Sequence, residues 1–446
     1  MTGIHTFPTQ KKSGQRLRIA IIGSGITGSS AAWALRDVHD VVLYEKDARP
    51  GGHTATVDID YLGKPISVDT GFIVYNEATY PNLTALFAEL DVKTHESNMS
   101  FSLSLDQGKL EWSGDSLWTI FAQKRNLFRP SFLLMIREIL RFNKQCLVDR
   151  AGGHLADMSI GDYLNWRGFS PGFMNNYLVP MAAAIWSTEA KRMMQFPADY
   201  FVNFFDNHRL IYSRAHMWRT VTGGSRNYLD KLLAPLNGKV RLGHGVTSVR
   251  RTETSVFVTD SSGHEEEFDH VIMAAHSDQS LTMLSDATEQ ERRILQSVPY
   301  QPNRVILHRD PHLMPQRKGV WASWNYLRNS KTENESRVAV SYWMNRLQGI
   351  DTAYPLFVTL NPEREPDPKL VFAEFSYDHP QFSNQSMAAQ KDLETIQGQN
   401  RTWFAGAWTG YGFHEDGLSS GLKAAEALGG IIPWRQATPD FAEAAE

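Results

Sequence analysis

The stretch RIAIIGSGITGSSAAWALRDVHDVVLYEKDARPGGH, residues 18–53, decides the fold because glycines stand where a predicted strand passes into a predicted helix. The apolar run 19–22 predicts a buried parallel strand, and 26–35 predicts a helix. The glycines between them, in the spacing G-x-G-x-x-G, are Gly23, Gly25 and Gly28. Glycine pairs also occur in ordinary loops, so it is the placement of these three that predicts a dinucleotide site.

Each of the three glycines has its own predicted role. Gly23 allows the tight turn, Gly25 lets the backbone approach a pyrophosphate, and Gly28 lets the helix pack closely on the strand. The helix N-terminus then faces the phosphate charge. A second predicted strand, 41–44, ends in Glu45, which lies 22 residues after Gly23. This is near the ~20 expected for the carboxylate that hydrogen-bonds a ribose hydroxyl.

The residues after Glu45 select the dinucleotide. Arg49, Gly51 and Gly52 extend the pattern to E-x-x-x-R-x-G-G, in which an arginine and a second flexible backbone segment meet the same pyrophosphate. This pattern resembles the FAD-binding signature of the flavin amine oxidase and phytoene desaturase superfamily, as does VDTGFIVYN at 68–76. The resemblance implies that Asp69 to Phe72 runs along the isoalloxazine ring.

Later stretches resemble the remaining parts of the same fold. RTVTGGSRNYLDKLLAPL, 219–236, resembles the segment that starts a helix before the chain returns to the FAD domain, and KVRLGHGVTSVRRT, 239–252, resembles the strand whose Val246 lies beside the adenine. FDHVIMAAHSDQSLTML, 268–284, resembles the last strand before a second crossover. TWFAGAWTGYGFHEDGLSSGLKAAEAL, 402–428, predicts a strand, a glycine-rich loop and a helix starting near Gly417, whose N-terminus meets the electron-rich edge of a reduced flavin.

The predicted fold is therefore α/β, a Rossmann-like FAD-binding domain with a discontinuous α+β substrate domain, of the amine oxidase and p-hydroxybenzoate hydroxylase topology. We predict FAD-binding parts at 16–75, 216–276 and 401–430, a helical insertion at 76–215, a substrate-domain sheet at 277–400 and a C-terminal tail at 431–446. The residues that the resemblance places at FAD are Gly23, Gly25, Ile26, Thr27, Gly28, Glu45, Lys46, Arg49, Gly51, Gly52, His53, Gly71, Phe72, Val246, Gly406, Asp416, Gly417 and Leu418.

Composition agrees with a two-domain globular protein. The 446 residues are 42% apolar and 21% charged, and a net charge of −4 favours no polyanionic partner, so we expect no nucleic acid. The one cysteine, Cys146, excludes an internal disulfide framework and lies outside the C-terminal flavin segment, so we expect noncovalent FAD. Without a second dinucleotide fingerprint, reoxidation by oxygen or another carrier is expected. Pro311 interrupts the ligand spacing of His308 and His312, so we expect no metal site.

The segment 116–150 combines positive charge with helical apolar spacing. It carries seven Lys or Arg against two Asp or Glu. This pattern suits a helix at an anionic lipid surface, and it equally suits an ordinary amphipathic helix with solvated cations. No run of about 18 apolar residues is present, and the first 15 residues lack an apolar signal core, so we expect a cytoplasmic location. The candidate membrane contacts are Lys124, Arg125, Arg129, Arg137 and Arg141.

A narrower resemblance favours the lipid surface. GGHTATVDI, DTGFIVYNEATYPNLTALFAEL, VSYWMNRLQGI and PLFVTLNP resemble bacterial FAD-binding proteins that accompany cyclopropane-fatty-acyl-synthase-like methyltransferases. Some of that group look like desaturases of methylated acyl chains on the route to furan fatty acids. The resemblance implies a phospholipid acyl chain as substrate, a peripheral location at the inner face of the cell membrane, and a lipid methyltransferase as a partner.

The chemistry requires substrate positioning, exclusion of water and a proton acceptor beside flavin N5. VSYWMNRL and WASWNYL are predicted to be strands of the substrate domain with two different faces. His414, Glu415 and Asp416 are candidates for the proton, although carboxylates at a helix start also act as caps. The candidate catalytic or pocket residues are Tyr75, Asn76, Trp186, Asn325 and Trp343.

Three functions compete. The leading one is an FAD-dependent dehydrogenase or desaturase of a methylated phospholipid acyl chain, with hydride transfer to flavin N5 and reoxidation by oxygen. The second is a soluble flavin amine oxidase, although no lysine stands out for the position opposite N5. The third is a non-enzymatic FAD-bearing partner of a lipid methyltransferase.

Overall fold

The computed structural model describes residues 16–212, 216–329 and 338–436. The strands are β1 (Arg18–Ile22), β2 (Asp40–Tyr44), β3 (Thr56–Tyr61), β4 (Lys64–Asp69), β5 (Tyr75–Asn76), β6 (Thr94–Ser97), β7 (Phe101–Leu105), β8 (Leu110–Ser113), β9 (Trp218–Val221), β10 (Val240–Arg241), β11 (Val246–Arg251), β12 (Val256–Asp260), β13 (Glu265–Phe268), β14 (His270–Met273), β15 (Tyr300–His308), β16 (Trp324–Arg328), β17 (Ala339–Trp343), β18 (Phe357–Leu360), β19 (Val371–Pro380) and β20 (Thr402–Phe404).

The helices lie mainly between these strands and in a layer around residues 117–207. They are α1 (Ile26–Leu35), α2 (Pro81–Glu89), α3 (Leu117–Ile120), α4 (Pro130–Ala151), α5 (Ile160–Trp166), α6 (Pro171–Phe173), α7 (Val179–Trp186), α8 (Ala190–Met193), α9 (Ala198–Asn207), α10 (Arg226–Leu233), α11 (Ser277–Met283), α12 (Glu289–Leu295), α13 (Met344–Leu347), α14 (Asn384–Asp392), α15 (His414–Ala427) and α16 (Pro433–Gln436).

A five-stranded parallel sheet in the order β10-β2-β1-β14-β20 forms the centre of the FAD-binding part. Its strands come from all three predicted FAD-binding segments, which confirms the α/β fold class. The strands are apolar on both faces, as expected for a parallel sheet covered on both sides. Helix α1 is buried along its whole length, and α15 packs across it. The carboxyl ends of β1, β14 and β20 therefore meet at one edge of the sheet, where this class of fold binds ligands.

A seven-stranded mixed sheet in the order β19-β15-β18-β17-β16-β7-β8 forms the second part. We predicted that the insertion 76–215 is helical. It also contains strands, because it supplies β7 and β8 to this sheet. The missed signal is FSLSLDQGKLEWS, where apolar and polar residues alternate on either side of a turn. Asp106, Gln107 and Gly108 all have positive φ in that turn. Both insertions thus build one sheet.

Other boundaries also differ from the sequence prediction. Met344 and Asn345, predicted in a strand, begin α13 after β17 ends. Helix α15 begins at His414, one turn before the predicted start near Gly417, because the Asp416 carboxylate accepts a hydrogen bond from the Phe413 N–H at 2.8 Å. The tail predicted from 431 starts with α16, and Trp434 stacks on Trp33 with ring centroids 6.0 Å apart. Residues 437–446 of that tail lie outside the described residues.

Helix α4 is the longest helix of the described residues. Its inward face, which includes Phe132, Met135, Phe142 and Cys146, joins a large apolar core that contains α5 to α9 and one face of β16 and β17. Among the described residues, no helix is both long and apolar enough to cross a bilayer.

Candidate functional site

The turn between β1 and α1 is built so that only glycine fits at two of its three positions. Gly23 has a φ of +102°, which L residues with a side chain rarely adopt, and its N–H donates to the Tyr44 carbonyl at 2.8 Å. A Cβ on Gly28 would lie 1.9 Å from the Gly23 carbonyl oxygen. The turn is therefore closed on itself, and α1 starts directly above the strand.

Gly25 differs from its two neighbours because a Cβ there would meet no atom within 4 Å. Gly25 precedes α1, and no side chain caps that helix N-terminus. A Cβ on Gly52 would lie 3.5 Å from the Gly25 Cα, so the second glycine pair faces the first. Two glycine backbones and an uncapped helix start thus border one open space, which suits an anionic pyrophosphate.

Glu45 fixes the rim of this space. Its carboxylate accepts hydrogen bonds from the Ser24 N–H at 3.0 Å, from the Ser24 hydroxyl at 2.5 Å and from the Asp47 N–H at 2.9 Å. Most of its hydrogen-bonding capacity is used by the loop itself. The carboxylate therefore positions the turn as well as offering an acceptor at the predicted ribose site.

The segment before β11 lies along the same rim. The N–H groups of Gly243 and His244 donate to the carbonyls of Asp47 and Glu45, each at 2.9 Å. A Cβ on Gly245 would lie 2.9 Å from the Lys46 Cβ. Val246 follows at the start of β11. Val246 and Lys46 are thus brought to the end of the cleft where the sequence predicts the adenine.

Arg49 lies over the loop that contains Gly52. Its guanidinium donates to the carbonyl oxygens of Gly52 at 3.0 Å and of Pro50 and Thr54 at 3.3 and 3.4 Å. The side chain is exposed. These contacts hold a positive charge beside the glycine pair that faces Gly25.

The segment from Asp69 to Phe72 lies against the residues that follow Gly52. A Cβ on Gly71 would lie 2.2 Å from the His53 carbonyl oxygen, and the Phe72 N–H donates to that oxygen at 2.7 Å. Asp69 is fully buried and accepts hydrogen bonds from the N–H and hydroxyl of Ser225 at the start of α10. Asp69 therefore ties the two halves of the FAD-binding part together.

Phe72 and His414 connect this segment to the start of α15. Their rings stack with centroids 3.9 Å apart, and His414 Nε2 lies 2.5 Å from the Tyr228 hydroxyl. The Tyr228 hydroxyl also lies 2.5 Å from the Thr54 hydroxyl. Burial lowers the pKa of His414 to about 3, so this ring is neutral at physiological pH. A buried polar chain thus runs beside the predicted isoalloxazine segment.

Three further histidines converge on the cleft. Burial, reinforced by His379, His276 and His414, holds the pKa of His53 well below its usual range. Burial also lowers the pKa of His379 to about 4 and lowers that of His276. The His53 ring lies 5.5 Å from His379 and 5.0 Å from Tyr377. The lining is therefore aromatic and uncharged rather than cationic.

Two nitrogen atoms in this lining are buried without a hydrogen-bond partner among the described residues, His53 Nε2 and His276 Nδ1. Buried polar groups are normally satisfied, so atoms of this kind mark the edge of a ligand site. Together with the open space over Gly25, they show that the residues present fit a large polar cofactor. The sequence predicted His53 but not His276, His379, Tyr228 or Tyr377. No local motif distinguishes these four.

The C-terminal glycines serve helix packing. A Cβ on Gly417 would lie 2.9 Å from the Thr27 hydroxyl and 3.0 Å from the Ile26 side chain. Leu418 is fully buried, and the Gly406 N–H donates to the Ser420 hydroxyl at 2.9 Å. The helix N-terminus of α15 is therefore carried close to that of α1. Burial raises the pKa of Asp416 to about 6.

The catalytic candidates at the start of the first insertion have structural partners. The Asn76 amide caps its own turn, accepting from the Ala78 and Thr79 N–H groups and donating to the Thr79 hydroxyl. Tyr75 is buried between Tyr80 and Phe87. Glu415 accepts from the Asn82 and Leu83 N–H groups and so caps α2. The Asn76 amide is therefore engaged within its own turn, and catalytic roles for Tyr75 and Asn76 stay predictions.

Asn325 and Trp343 are likewise held by the sheet. The Asn325 amide joins Ser102, Ala322 and Ser341, which links β7, β16 and β17. The Trp343 indole N–H donates to Asn345 Oδ1 at 3.1 Å. Asn345 in turn holds the loop after α13 through the carbonyls of Asp351 and Tyr354. The Asn325 and Asn345 amides therefore complete backbone hydrogen bonding, and the catalytic or pocket roles of Asn325 and Trp343 stay predictions.

Trp186 is different because its indole Nε1 is buried without a partner among the described residues. Its ring lies 4.9 Å from Phe196 and 4.6 Å from Phe204. Phe204 in turn stacks on Phe413, at 5.0 Å, next to His414. The structure thus places Trp186 in an aromatic group that reaches the cleft, in agreement with a pocket role but equally with core packing.

The predicted membrane cations fall into two groups. Arg125 and Arg129 donate to backbone carbonyls of the turn between β7 and β8, and Arg141 lies over the Phe169 ring at 4.0 Å. Lys124 and Arg137 are exposed. Three of the five are therefore occupied in holding the fold, which the sequence could not show.

Comparison with known proteins identifies the family of the chain. The family model described as flavin containing amine oxidoreductase matches residues 26–364. The fold is similar to that of a putrescine oxidase bound to putrescine, with a TM-score of 0.65, 16% identity, and coverage of 93% of this chain and 99% of that chain. It is also similar to cyclohexylamine oxidase from Brevibacterium oxydans, with a TM-score of 0.62, 16% identity, and coverage of 93% and 99%.

A fatty acid isomerase from P. acnes that produces CLA is a third similar structure. The TM-score is 0.62, the identity is 15%, and the match covers 92% of this chain and 98% of that chain. Identities this low establish the shared fold alone. No curated protein sequence matches the chain.

Proposed function

The chain belongs to the flavin containing amine oxidoreductase family and is an FAD-dependent oxidoreductase, and from this premise we propose that it dehydrogenates a methylated acyl chain of a phospholipid. FAD held in the cleft would supply the two-electron oxidant for loss of two hydrogens from adjacent substrate carbons, with dioxygen as the final acceptor and hydrogen peroxide as its product. The Gly25 and Gly52 backbones and the α1 N-terminus would hold its pyrophosphate, while Asp69–Phe72 and His53 would flank its ring.

The observation that carries this proposal is the nature of the core behind the cleft. One continuous apolar cluster runs from the inward face of α4, through Trp186 and Phe204, to Tyr411 and Phe413 at the start of α15. A long hydrocarbon chain needs apolar walls with few polar groups. Such walls would supply contact area and exclude water from the reacting carbon.

A second cavity, of about 600 Å3, lies beside the same core. Its lining is mixed, with apolar Leu105, Met174, Val179 and Met194 and with polar or charged Asp106, Asn175, Asn176, Lys191 and Arg328. Methionine side chains adapt to flexible apolar ligands, and a lysine suits a phosphate or carboxylate head group. The size lies within the range of small-molecule sites.

The neutral histidines bear on proton transfer. His414 and His379 are too weakly basic, with pKa values of about 3 and 4, to remain protonated after accepting a proton at pH 7. They serve instead as hydrogen-bonding groups that orient the ring and the substrate. We therefore propose that the proton passes to solvent at the cleft entrance and not to these histidines.

A second candidate, amine oxidation, is favoured by a different cavity. This cavity, of about 520 Å3, lies between α2 and the start of α15 and is lined in part by Tyr80, Asp206, Tyr411, Phe413 and Asp416. Aromatic rings with carboxylates suit an ammonium group. However, Asp206 is paired with Arg150, and the Asp416 carboxylate is already engaged in accepting from the Phe413 N–H.

The deciding experiment is anaerobic. The purified holoenzyme is mixed with detergent-dispersed phospholipid bearing methylated acyl chains, the flavin absorbance is followed, and the acyl chains are then weighed by mass spectrometry. Flavin bleaching with loss of two hydrogens from the chain supports the proposal. Bleaching by putrescine or cyclohexylamine alone would move the function to amine oxidation. No bleaching by either class, together with a stable complex with a lipid methyltransferase, would indicate the non-enzymatic role.

A further inference from the structure

Exposed large hydrophobic side chains are concentrated on one stretch of the surface. Of the fourteen such side chains among the described residues, eight lie between residues 117 and 148. Four precede α4, namely Leu117, Trp118, Leu127 and Phe128, and four lie on α4, namely Leu133, Leu134, Leu140 and Val148. Trp118 is 88% exposed and Phe128 is 85% exposed. Aromatic side chains at this exposure, grouped in this way, indicate an interaction site.

The charges on the same surface have one sign. Lys124, Arg137 and Lys144 are exposed on it. The two acidic residues of the segment, Glu138 and Asp149, are buried. Glu138 accepts from the Ser170 N–H and hydroxyl, and Asp149 pairs with Arg167. The outward face of α4 therefore presents aliphatic and cationic side chains, and its carboxylates all point inward.

The segment that carries Trp118 and Phe128 is held in place by buried side chains. Phe121 packs against Phe132 in the first turn of α4, with ring centroids 6.1 Å apart. Between Trp118 and Phe128, Gln123 and Asn126 are buried and hydrogen-bond the β7–β8 hairpin at Glu111 and Gly108. Trp118 and Phe128 are thus displayed by a built scaffold, so their exposure is not the result of a loose loop.

We propose that this surface, which we call the docking surface and which comprises the exposed apolar and cationic side chains of residues 117–148, binds the face of an anionic lipid bilayer. Trp118 and Phe128 enter the interfacial region, and α4, about 33 Å long, lies parallel to the membrane plane. Tryptophan is favoured at that depth because its ring is apolar and its N–H is polar. The cations meet lipid phosphates.

The charge of the docking surface favours an anionic bilayer over a second copy of the chain as its partner. A two-fold dimer would place the same cationic patch on both sides of the interface and bring like charges together. An anionic lipid surface complements the patch instead. Docking requires no turnover, so it stands apart from the proposed substrate; if that substrate is correct, docking supplies the membrane that contains it.

The first test measures cosedimentation of the holoenzyme with vesicles of saturated, unmethylated phosphatidylglycerol, and with phosphatidylcholine vesicles for comparison. We expect binding to the anionic vesicles that falls at least about tenfold in Trp118→Ala/Phe128→Ala and about thirtyfold in Arg137→Gln/Lys144→Gln. The matched controls are Leu62→Ala, an apolar residue that is 81% exposed elsewhere, and Lys369→Gln/Lys391→Gln. These controls should bind as the wild type does.

The second test reports insertion directly. Cys146 is fully buried, so a cysteine introduced as Trp118→Cys can be labelled selectively with an environment-sensitive fluorophore. We expect a blue shift with anionic vesicles and none for Leu62→Cys. Equal binding by the docking-surface variants and the wild type, or no binding by the wild type, overturns the proposal. Concentration-dependent dimerisation that Trp118→Ala/Phe128→Ala abolishes, without vesicle binding, assigns the surface to a second copy.

These vesicles contain no methylated chain, so their result does not depend on the proposed reaction. If the protein does not bind vesicles but its flavin is reduced normally by detergent-dispersed lipid, the docking proposal is wrong and the proposed substrate stands. If the protein binds vesicles but no lipid reduces its flavin, the proposed substrate is wrong and the docking proposal stands.

Discussion

The imidazole of His414 stacks on the ring of Phe72, with centroids 3.9 Å apart and planes 10° from parallel. These residues are separated by more than three hundred positions in the chain. The contact joins the segment predicted along the isoalloxazine to the first residue of α15. The flavin site therefore forms only when the first and last segments of the FAD-binding part, which the insertions separate in sequence, pack together.

We predict that His414→Leu lowers FAD affinity and stability together, because it removes both the stack and the hydrogen bond to Tyr228. The expected loss is about 2 kcal/mol in the free energy of unfolding. His414→Phe retains the stack and should lose about half of that. Urea unfolding and flavin titration provide the measurement. The Tyr228→Phe substitution can be made both in the wild type and in His414→Phe. If it lowers the free energy of unfolding equally in both, the two groups are not coupled and the described contact is wrong.

Gly25 and Gly28 should respond in opposite ways to alanine. Gly25→Ala is expected to leave the apoprotein as stable as the wild type, because its Cβ meets open space, but to weaken FAD binding at least about tenfold by occupying the phosphate site. Gly28→Ala should destabilise the apoprotein by roughly 1–3 kcal/mol, because its Cβ meets the Gly23 carbonyl. The ratio of flavin to protein absorbance and apoprotein unfolding check both. Normal flavin content in Gly25→Ala would contradict the assigned site.

Trp186 allows core packing to be separated from a polar role. Trp186→Ala should cost about 3–5 kcal/mol by leaving a cavity among aromatic rings. Trp186→Phe should change stability by less than about 1.5 kcal/mol, because the indole N–H has no partner to lose. Thermal unfolding measures both variants. If Trp186→Phe is stable yet alters the rate of flavin reduction by substrate, the indole contacts the substrate.

Buried histidines predict a loss of stability in acid. Burial lowers the pKa of His308, His208 and His379 to about 4, below the value of about 6.5 in an unfolded chain. Between these values the unfolded chain binds more protons, so stability is complete above pH 6.5 and falls as the pH decreases. Each such group should cost about 2 kcal/mol at pH 5. Asp416, whose pKa is raised, opposes the trend below pH 6.

The histidine prediction is checked by urea unfolding as a function of pH. His308 is fully buried and its Nε2 lies 2.7 Å from the Thr359 hydroxyl, so His308→Gln offers a neutral replacement with a similar hydrogen bond. This variant should have a shallower pH dependence than the wild type. An unchanged slope would show that His308 does not titrate as described.

Arg251 is expected to be the most costly single cation to remove. It pairs with Glu291 through two nitrogen atoms at 2.5 and 2.9 Å, and both side chains are almost completely buried. Arg251→Leu leaves the Glu291 carboxylate buried without its partner and should destabilise the protein by about 3–5 kcal/mol. Arg293→Leu, which removes an exposed pair with Asp392, should cost less than about 1 kcal/mol. Equal losses would show that the buried pair adds nothing beyond an exposed one.

The nucleotide end of the site was predictable because its chemistry is local. The strand, turn and helix of residues 18–35 and Glu45 lie within one short stretch, and glycine is required there by φ and by close backbone contact. Those constraints appear in the sequence as residue types at set spacings. The role predicted for Asn325 rests on a less specific signal. A polar side chain in a strand can bind a ligand or can complete the hydrogen bonds of the sheet. Only the partners of Asn325 in the structure show that its amide does the second.

The sequence by itself determined the fold class, the dinucleotide cleft and the basic, apolar character of residues 116–150. Tertiary structure decided which polar groups converge on the flavin side of the cleft, because His53, His276, His379 and His414 come from four separate segments. It also decided the character of the surface around α4. The carboxylates of Glu138 and Asp149 turn inward to partners from α5 and the loop that follows it, so the outward face of α4 carries cations but no carboxylate. Burial of a charge depends on partners that are distant in sequence, so local patterns alone cannot predict it.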